Sequence, residues 1–397
     1  MFWEKKVKID TDPAKIEKLL TRGVEEVFVK EDLEKKLKSG KQLRVKLGFD
    51  PTGSNIHIGR AILLRKLKEF QDLGHQVIFL IGDFTALIGD PSDKLEKRPM
   101  LTREKVEENL RDYKKQVGKI VDLSKSEFVY NSKWLSKLTF KDVAELAESF
   151  SVAQMSNRRN FKDRLDNGDD VSLREFMYPL MQGYDSVELK ADVELGGFDQ
   201  LFNLKAGRTL QKKYGQTPQD ILTTVMLEGT DGRKMSTSWG NVINIIDESS
   251  DMYGKVMSVK DELMEKYFTL CTDLSIEEIS KILDGDPKSA KMRLAREIVT
   301  IYHSESDAKK AEENWVKTFS EGGVPEDIVS VNGVVGNLLK DTAISSKLIE
   351  SSSEWKRLIE QGGIYFEDEK ITDPNQKIEK SGVLKIGKRR FLNIEIN

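Results

Sequence analysis

Two segments carry residues suited to a nucleoside triphosphate. The first, GFDPTGSNIHIGR, runs from Gly48 to Arg60. Asp50, Pro51 and Thr52 fall where an apolar stretch ends, and Gly53, Ser54 and Asn55 break the chain before a helix. Ligands of open α/β sheets bind at such strand ends. The helix start offers unpaired N–H groups and a positive dipole end to phosphate oxygens. Gly59 lets a nucleotide lie against the backbone, and His57 and Arg60 are placed to donate to phosphate. Such donors accelerate a reaction only if they meet charge that develops in the transition state. Alone, His57 reads equally well as the cap of a surface helix. The second segment, GRKMSTS from Gly232 to Ser238, is a turn-rich loop that can carry the Lys234 ammonium onto phosphates. Alone, it is an ordinary solvated basic loop. Neither bland reading explains both segments in this order within one α/β frame.

The elements that must hold them are visible around them. Leu43 to Phe49 reads as a strand entering a core, and Val77 to Gly82 as a second. Between them a helix is predicted from about Ile56 to Leu73, with Leu63, Leu67 and Phe70 on one face and Gly74 as its stop. A strand–helix–strand unit implies a parallel pair and an α/β fold. Residues 14–39 read as two polar helices, and 102–170 as a helical, charged insertion between two halves. Helix and strand alternate again from Leu173 to about Leu227. Residues 247–320 are helical, with Ser275 capping before Glu278. Gly322, Gly323 and Pro325 mark a linker, and the last 70 or so residues turn Ser-rich and strand-rich.

At 397 residues the chain calls for two or three domains. Its net charge of −3 makes any nucleic-acid contact a matter of local patches. One cysteine, Cys271, excludes an internal disulfide and fits a reducing cytoplasm. No signal peptide is expected, and Val77 to Ile88 is too short for a membrane span.

Further matches make the pattern specific. Beside IHIGR (Ile56 to Arg60) and KMSTS (Lys234 to Ser238) stand GFDPT, IGDPS (Ile88 to Ser92), YPLMQGYDS (Tyr178 to Ser186) and GGFDQ (Gly196 to Gln200). In these motifs, over nearly its whole length, the chain resembles the bacterial tyrosyl-tRNA synthetases of class I. The resemblance implies a Rossmann-like parallel-sheet catalytic domain, 1–230, with a helical insertion at about 102–170. An α-helical domain with the mobile KMSTS loop would cover 231–325, and a small α+β RNA-binding module with its linker 326–397. It implies ATP with Mg²⁺ as a substrate complex, no tightly bound cofactor, tyrosine and tRNA(Tyr) as partners, a homodimer, no membrane and a cytoplasmic setting.

It also assigns roles. Asp90, Tyr178 and Gln182 would hold the substrate α-amino group, and Gln200 its carboxylate. Asp185 would receive the phenol, with Lys46 where another branch of the family has a tyrosine. Gly48, Gly59 and Met235 would lie along the nucleotide, Gly197 and Asp199 at the ribose, and Asp50 beside the reacting groups. Thr52, His57 and Lys234 would stabilise the pentacovalent phosphate. Arg60 replaces the second His of the family motif, and Thr237 the second Lys of its loop, with Arg233 the candidate substitute. The residues agree in part on their own, because spacings of four and three put Tyr178, Gln182 and Asp185 on one helix face.

From Ile344 onward the chain resembles an RNA-binding module shared with a ribosomal small-subunit protein. Lys356, Arg357, Lys388, Arg389 and Arg390 are its candidate phosphate contacts. Dimerisation would run through the insertion, where Phe140, Val143 and Leu146 stand in charged sequence; an internal core explains them equally well. The alternatives are a tryptophan synthetase, which the Tyr178–Asp185 face disfavours, and a non-catalytic RNA-binding relative, which Arg60 and Thr237 keep open. A dinucleotide-binding dehydrogenase fits worse, since no GxGxxG follows a strand.

Overall fold

The apolar runs flanking the first motif form the middle of a sheet. The computed structural model describes residues 8–92, 100–319, 328–349, 351–367, 369–387 and 390–396. Six strands make the first sheet: β1 Val24–Phe28, β2 Arg44–Phe49, β3 Gln76–Ile81, β4 Ser126–Tyr130, β5 Val193–Gly197 and β6 Asp220–Thr224. Their order is β1-β6-β5-β2-β3-β4. The strands from β2 to β6 are parallel, and β1 closes one edge antiparallel to β6. Helix α1, Ile58–Asp72, crosses from β2 to β3. Two further helices, α2 Leu173–Leu189 and α3 Leu201–Lys213, flank β5 in sequence. From β2 the chain first builds outward through β3 and β4, then on the other side through β5 and β6. That reversal opens a crevice at the carboxyl ends of β2 and β5, where sheets of this kind take their ligands.

Burial drives the assembly. Val45, Leu47, Val77, Ile78, Phe79, Val193, Ile221 and Leu222 are sealed in the sheet, and Ile58, Ala61, Leu64, Leu67 and Phe70 line the covered face of α1. Each large side chain contributes about 1.5–3 kcal/mol by leaving water. The expected strands at 43–49 and 77–82 and the helix between them occur within two residues of their expected ends. The expected polar helices of 14–39 are Pro13–Thr21 and Lys30–Lys38, with β1 between them. The 102–170 segment is helical except for β4, which joins the sheet beside β3. Both unforeseen strands are part-exposed edge strands, so neither shows a long apolar run or a clean alternation.

The chain divides into two compact units, one reaching Glu248 and including Lys255–Tyr302, the other holding Ser249–Gly254 and the chain from His303. This division runs through the 231–325 segment expected as one helical domain. Cys271 ends a helix of the first unit, Met264–Cys271, and burial pushes its thiol up to about 12. In the second unit a five-stranded sheet has the order β7-β11-β10-β8-β9, with β7 Val329–Gly333, β8 Ile364–Phe366, β9 Glu369–Lys370, β10 Gly382–Ile386 and β11 Arg390–Ile396. Helices α4, Leu339–Ser345, and α5, Ser352–Glu360, share one core with it, built on Leu339, Trp355, Ile364, Leu384 and Leu392. The expected linker residues 322–325 lie outside the described residues. Among the described residues no helix is long and apolar enough to cross a membrane.

Candidate active site

β2 delivers Asp50 to the crevice, and side chains from two other elements converge on its carboxylate. Thr85 Oγ1 donates to Oδ1 at 2.7 Å, and Tyr178 Oη, from α2, donates to Oδ2 at 2.9 Å. His57 caps α1, and its Nδ1 accepts from the Arg60 amide at 3.3 Å. With Nδ1 an acceptor, the ring proton sits on Nε2. Burial, with Arg60 and Lys234 nearby, lowers the His57 pKa to about 3, so the imidazole is a neutral donor at working pH. Arg60 donates to Thr52 Oγ1 at 3.1 Å and to Tyr113 Oη at 3.2 Å, so it braces the Asp50–Thr52 turn.

The loop with Lys234 is stitched to this helix start. Ile58 N donates to Ile243 O at 2.8 Å, and Ile245 N to Ile56 O at 3.0 Å. Met235 N bonds Leu227 O. A Cβ on Gly59 would lie 3.3 Å from Met235 Sδ, so the glycine keeps the floor flat there. Lys234 Nζ sits 2.8 Å from Asp199 Oδ2. Arg233, the candidate substitute for the missing second lysine, is turned instead onto Asp231 and over the Trp239 ring, 4.7 Å from its centroid.

At the other end of the crevice Asp185 is buried on α2. Its oxygens accept from Trp134 Nε1 at 2.7 Å and Asn131 Nδ2 at 3.3 Å. Asn131 also donates to Thr85 Oγ1 at 3.0 Å, so a hydrogen-bonded chain runs from Asp185 to Asp50. Asp90 accepts from Ser92, Asn203 and Gln200. Lys46, expected beside the phenol, lies on the cleft floor, but its ammonium is taken up by Glu194 at 2.8 Å and by Ser186 and the Gln182 carbonyl. All the other residues expected at the nucleotide, the reaction centre and the amino acid, from Gly48 and Thr52 to Gly197 and Thr237, line this same cleft of about 380 Å³. That volume falls in the range of small-molecule sites, about 300–1,000 Å³. Sequence reasoning missed Thr85, Asn131, Trp134 and Glu194. Asn131 and Trp134 follow the unforeseen strand β4, and Glu194 is visible only once β5 is set in register beside β2.

The family model described as class I tRNA synthetases (W and Y) matches residues 38–320. The tyrosine–tRNA ligase of Idiomarina loihiensis is 47% identical over 95% of this chain and 97% of its own length. That of Carboxydothermus hydrogenoformans is 48% identical, covering 95% and 96%. The chain belongs to this family, the tyrosine–tRNA ligases. It is therefore a ligase that joins an amino acid to tRNA. A truncated mitochondrial tyrosyl-tRNA synthetase of Aspergillus nidulans is similar in structure, with a TM-score of 0.65 and 25% identity over 77% of this chain and 94% of that one. The synthetase of Archaeoglobus fulgidus complexed with L-tyrosine shares the fold, with a TM-score of 0.60 and 24% identity over 75% and 99%.

The ligase carries a pH signature at Asp185. Burial outweighs Lys46, Trp134 and Asn131 and raises this carboxyl from an ordinary 3.8 to about 7. Between those values the folded chain holds a proton that the unfolded chain releases. The group's stabilising contribution is present below about pH 4 and is lost as pH rises toward 7. His57 acts oppositely, with stability present above about 6.5 and lost as pH falls toward 3. Asp185→Asn is expected to flatten the fall in melting temperature between pH 4 and 7 relative to wild type; an unchanged profile removes the buried carboxyl as its source.

Proposed function

We propose that this cleft joins the carboxylate of tyrosine to the α-phosphate of ATP, with pyrophosphate leaving, and then passes the tyrosyl group to the terminal ribose of tRNA(Tyr). The observation that carries the residue assignments is the convergence of both nucleotide motifs and the Tyr178–Asp185 helix face on one cleft. Asp185 accepts a hydrogen bond from the phenol hydroxyl. Asp90, Tyr178 and Gln182 receive the ammonium, and Gln200 lies by the carboxylate. ATP lies over Gly48 and Gly59 with Met235 at the adenine and Gly197 and Asp199 at the ribose. Thr52, the neutral His57 and Lys234 meet the charge that grows on the pentacovalent phosphate, and Arg60 holds Thr52 in place. Thr237 stands at the exposed rim. Magnesium arrives with ATP; among the described residues no group of three His, Cys, Asp or Glu is placed to hold a metal. Catalysis is by positioning and charge stabilisation, with no covalent enzyme intermediate. The test is ATP–pyrophosphate exchange with tyrosine, phenylalanine and tryptophan side by side. Exchange with tyrosine alone supports the reading, and exchange with none of them in folded protein returns it to a non-catalytic RNA binder.

The module from Val329 onward is read as an RNA-binding surface. Lys356 and Arg357 are exposed on α5. Arg390 is turned inward, bonding Glu354 at 2.8 Å and the Leu348 carbonyl, so it holds the module together instead of offering itself to phosphate. Lys388 and Arg389 lie outside the described residues. Lys356→Glu/Arg357→Glu is expected to weaken tRNA binding and reduce the salt slope by about two, with pyrophosphate exchange unchanged. An unaltered salt slope in a filter-binding titration would move the contact elsewhere.

A homodimer fits the first unit. Phe140 is 91% exposed, Leu173 79% and Val152 76%. Large exposed apolar side chains such as these are what an association surface would use. Leu146, expected with Phe140, belongs instead to an internal cluster with Leu180, Val187 and Leu210.

A further inference from the structure

We propose that Glu194, paired with Lys46, is a positioning residue that fixes the side-chain amide of Gln182 with its carbonyl oxygen toward the amino-acid substrate. The inference rests on the reading of the cleft as a tyrosine-activating site and assigns a task to a pair which that reading leaves idle.

Lys46 and Glu194 face each other in register on the parallel neighbours β2 and β5. Their side chains are 0% and 2% exposed, with Nζ and Oε1 2.8 Å apart. All three ammonium donors are used, on Glu194, on Ser186 Oγ at 2.8 Å and on the Gln182 main-chain carbonyl at 3.2 Å. Both carboxylate oxygens are filled as well. Oε1 also accepts from Gln182 Nε2 at 3.1 Å, and Oε2 accepts from Ser186 Oγ at 3.1 Å and from Gln219 Nε2. The fold makes room for this network. A Cβ on Gly207 would stand 2.8 Å from Ser186 Oγ and overlap Gln219 Nε2.

The chemistry then leaves one orientation. Both Glu194 oxygens accept from their other partners, so Gln182 presents its NH2 to Glu194. Its Oε1 is the end left for the cleft, which is the end that can accept from a substrate ammonium. The reverse orientation would set two acceptors against each other. Lys46 matters because its ammonium donates to the same Oε1 at 2.8 Å and so keeps that oxygen an acceptor toward Gln182. Without the acceptor that the pair presents, the amide of Gln182 could turn round and offer its NH2 to the ammonium. The pair thus sets the polarity of a residue neither partner belongs to, and it leaves the recognising charges to Asp90 and Asp185.

The test uses the full-length enzyme in pyrophosphate exchange. Glu194→Gln lets residue 194 show either a donor or an acceptor to Gln182. The double variant Lys46→Met/Glu194→Leu removes the pair without leaving a buried charge, and such exchanges are often neutral for stability. In both variants the KM for tyrosine is expected to rise about tenfold, the size of one charge-assisted hydrogen bond, with the KM for ATP changed less than about twofold. The inhibition constant of 3-(4-hydroxyphenyl)propionate, which has the phenol and carboxylate but no ammonium, is expected to stay put. An unchanged tyrosine KM in folded variants overturns the proposal, and so does an equal loss for tyrosine and the analogue, which would mean a general loosening of the pocket. If the double variant does not fold, Glu194→Gln decides alone. Wild-type enzyme with no tyrosine-dependent exchange overturns the activating site and this proposal together, whereas robust wild-type exchange with unaltered variants overturns only the proposal.

Discussion

Lys234→Ala is expected to slow single-turnover formation of tyrosyl-adenylate by about 10²- to 10³-fold, the usual loss for one preorganised transition-state donor. Tyrosine affinity should move less than about twofold, because removing a group that acts only in the transition state leaves ground-state binding alone. The geometry gives the reason. Lys234 stands on a loop whose two ends are tied down, by Met235 to Leu227 and by Ile243 and Ile245 to the start of α1. Its ammonium rests on Asp199 at 2.8 Å, a carboxylate read as a ribose contact. On that reading, ATP that engages Asp199 through its ribose would release the ammonium within reach of the phosphates. On the proposed reading, the lysine is held by the group that the ribose would engage, so nucleotide binding would also release it. The checking measurement is rapid-quench adenylate formation at saturating tyrosine and ATP, with tyrosine affinity by equilibrium dialysis. A normal single-turnover rate would take Lys234 out of the reaction.

Asp185→Asn is the second large effect, and it falls on selectivity. The carboxylate accepts from Trp134 and Asn131 and has capacity for one more donor, which a phenol supplies and a phenyl ring does not. Above about pH 7, where Asp185 is ionised, phenylalanine in this pocket leaves a buried charged acceptor short of a partner, which costs about 1.5–3 kcal/mol. An amide at position 185 cannot keep the arrangement. It must turn its NH2 toward one of the two protein donors or toward the phenol. The preference for tyrosine over phenylalanine, as the ratio of kcat/KM values in pyrophosphate exchange, is expected to fall about 10- to 100-fold. Most of the loss should appear as poorer use of tyrosine. An unaltered ratio would place phenol recognition on another group.

Much of this site was legible in the chain because it is written in local grammar. The β2 strand, its Gly- and Pro-rich break and the His57 cap occur in one stretch, and Tyr178, Gln182 and Asp185 sit at helical spacing. What stayed hidden depends on pairing across the sheet. Lys46 looked like a ligand group because nothing in the linear order links it to Glu194, which lies opposite only after β5 is laid beside β2. Asn131 and Trp134 were missed with β4, an edge strand whose residues are all half-buried and so lack either an apolar run or a clean alternation. Arg233 shows the reverse case, a partner that adjacency alone does not reveal. Adjacency to Lys234 suggested a second cation at the phosphates, but the short turn favours its pairing with Asp231, two residues away. At the carboxyl end, counting basic residues overstated the RNA surface, because Arg390 serves as an internal brace to Glu354.

The single cysteine gives the enzyme a silent thiol background. Cys271 is sealed at a helix end, and with its pKa pushed up to about 12 only about one thiol in 10⁴ is ionised at pH 8. Maleimides and other thiolate-seeking reagents should therefore pass over the native chain. A cysteine introduced at exposed Lys356 or at Phe140 would be the one reactive handle per polypeptide. Dyes or spin labels could then follow RNA arrival or subunit exchange in real time, with no need to remove a native residue first.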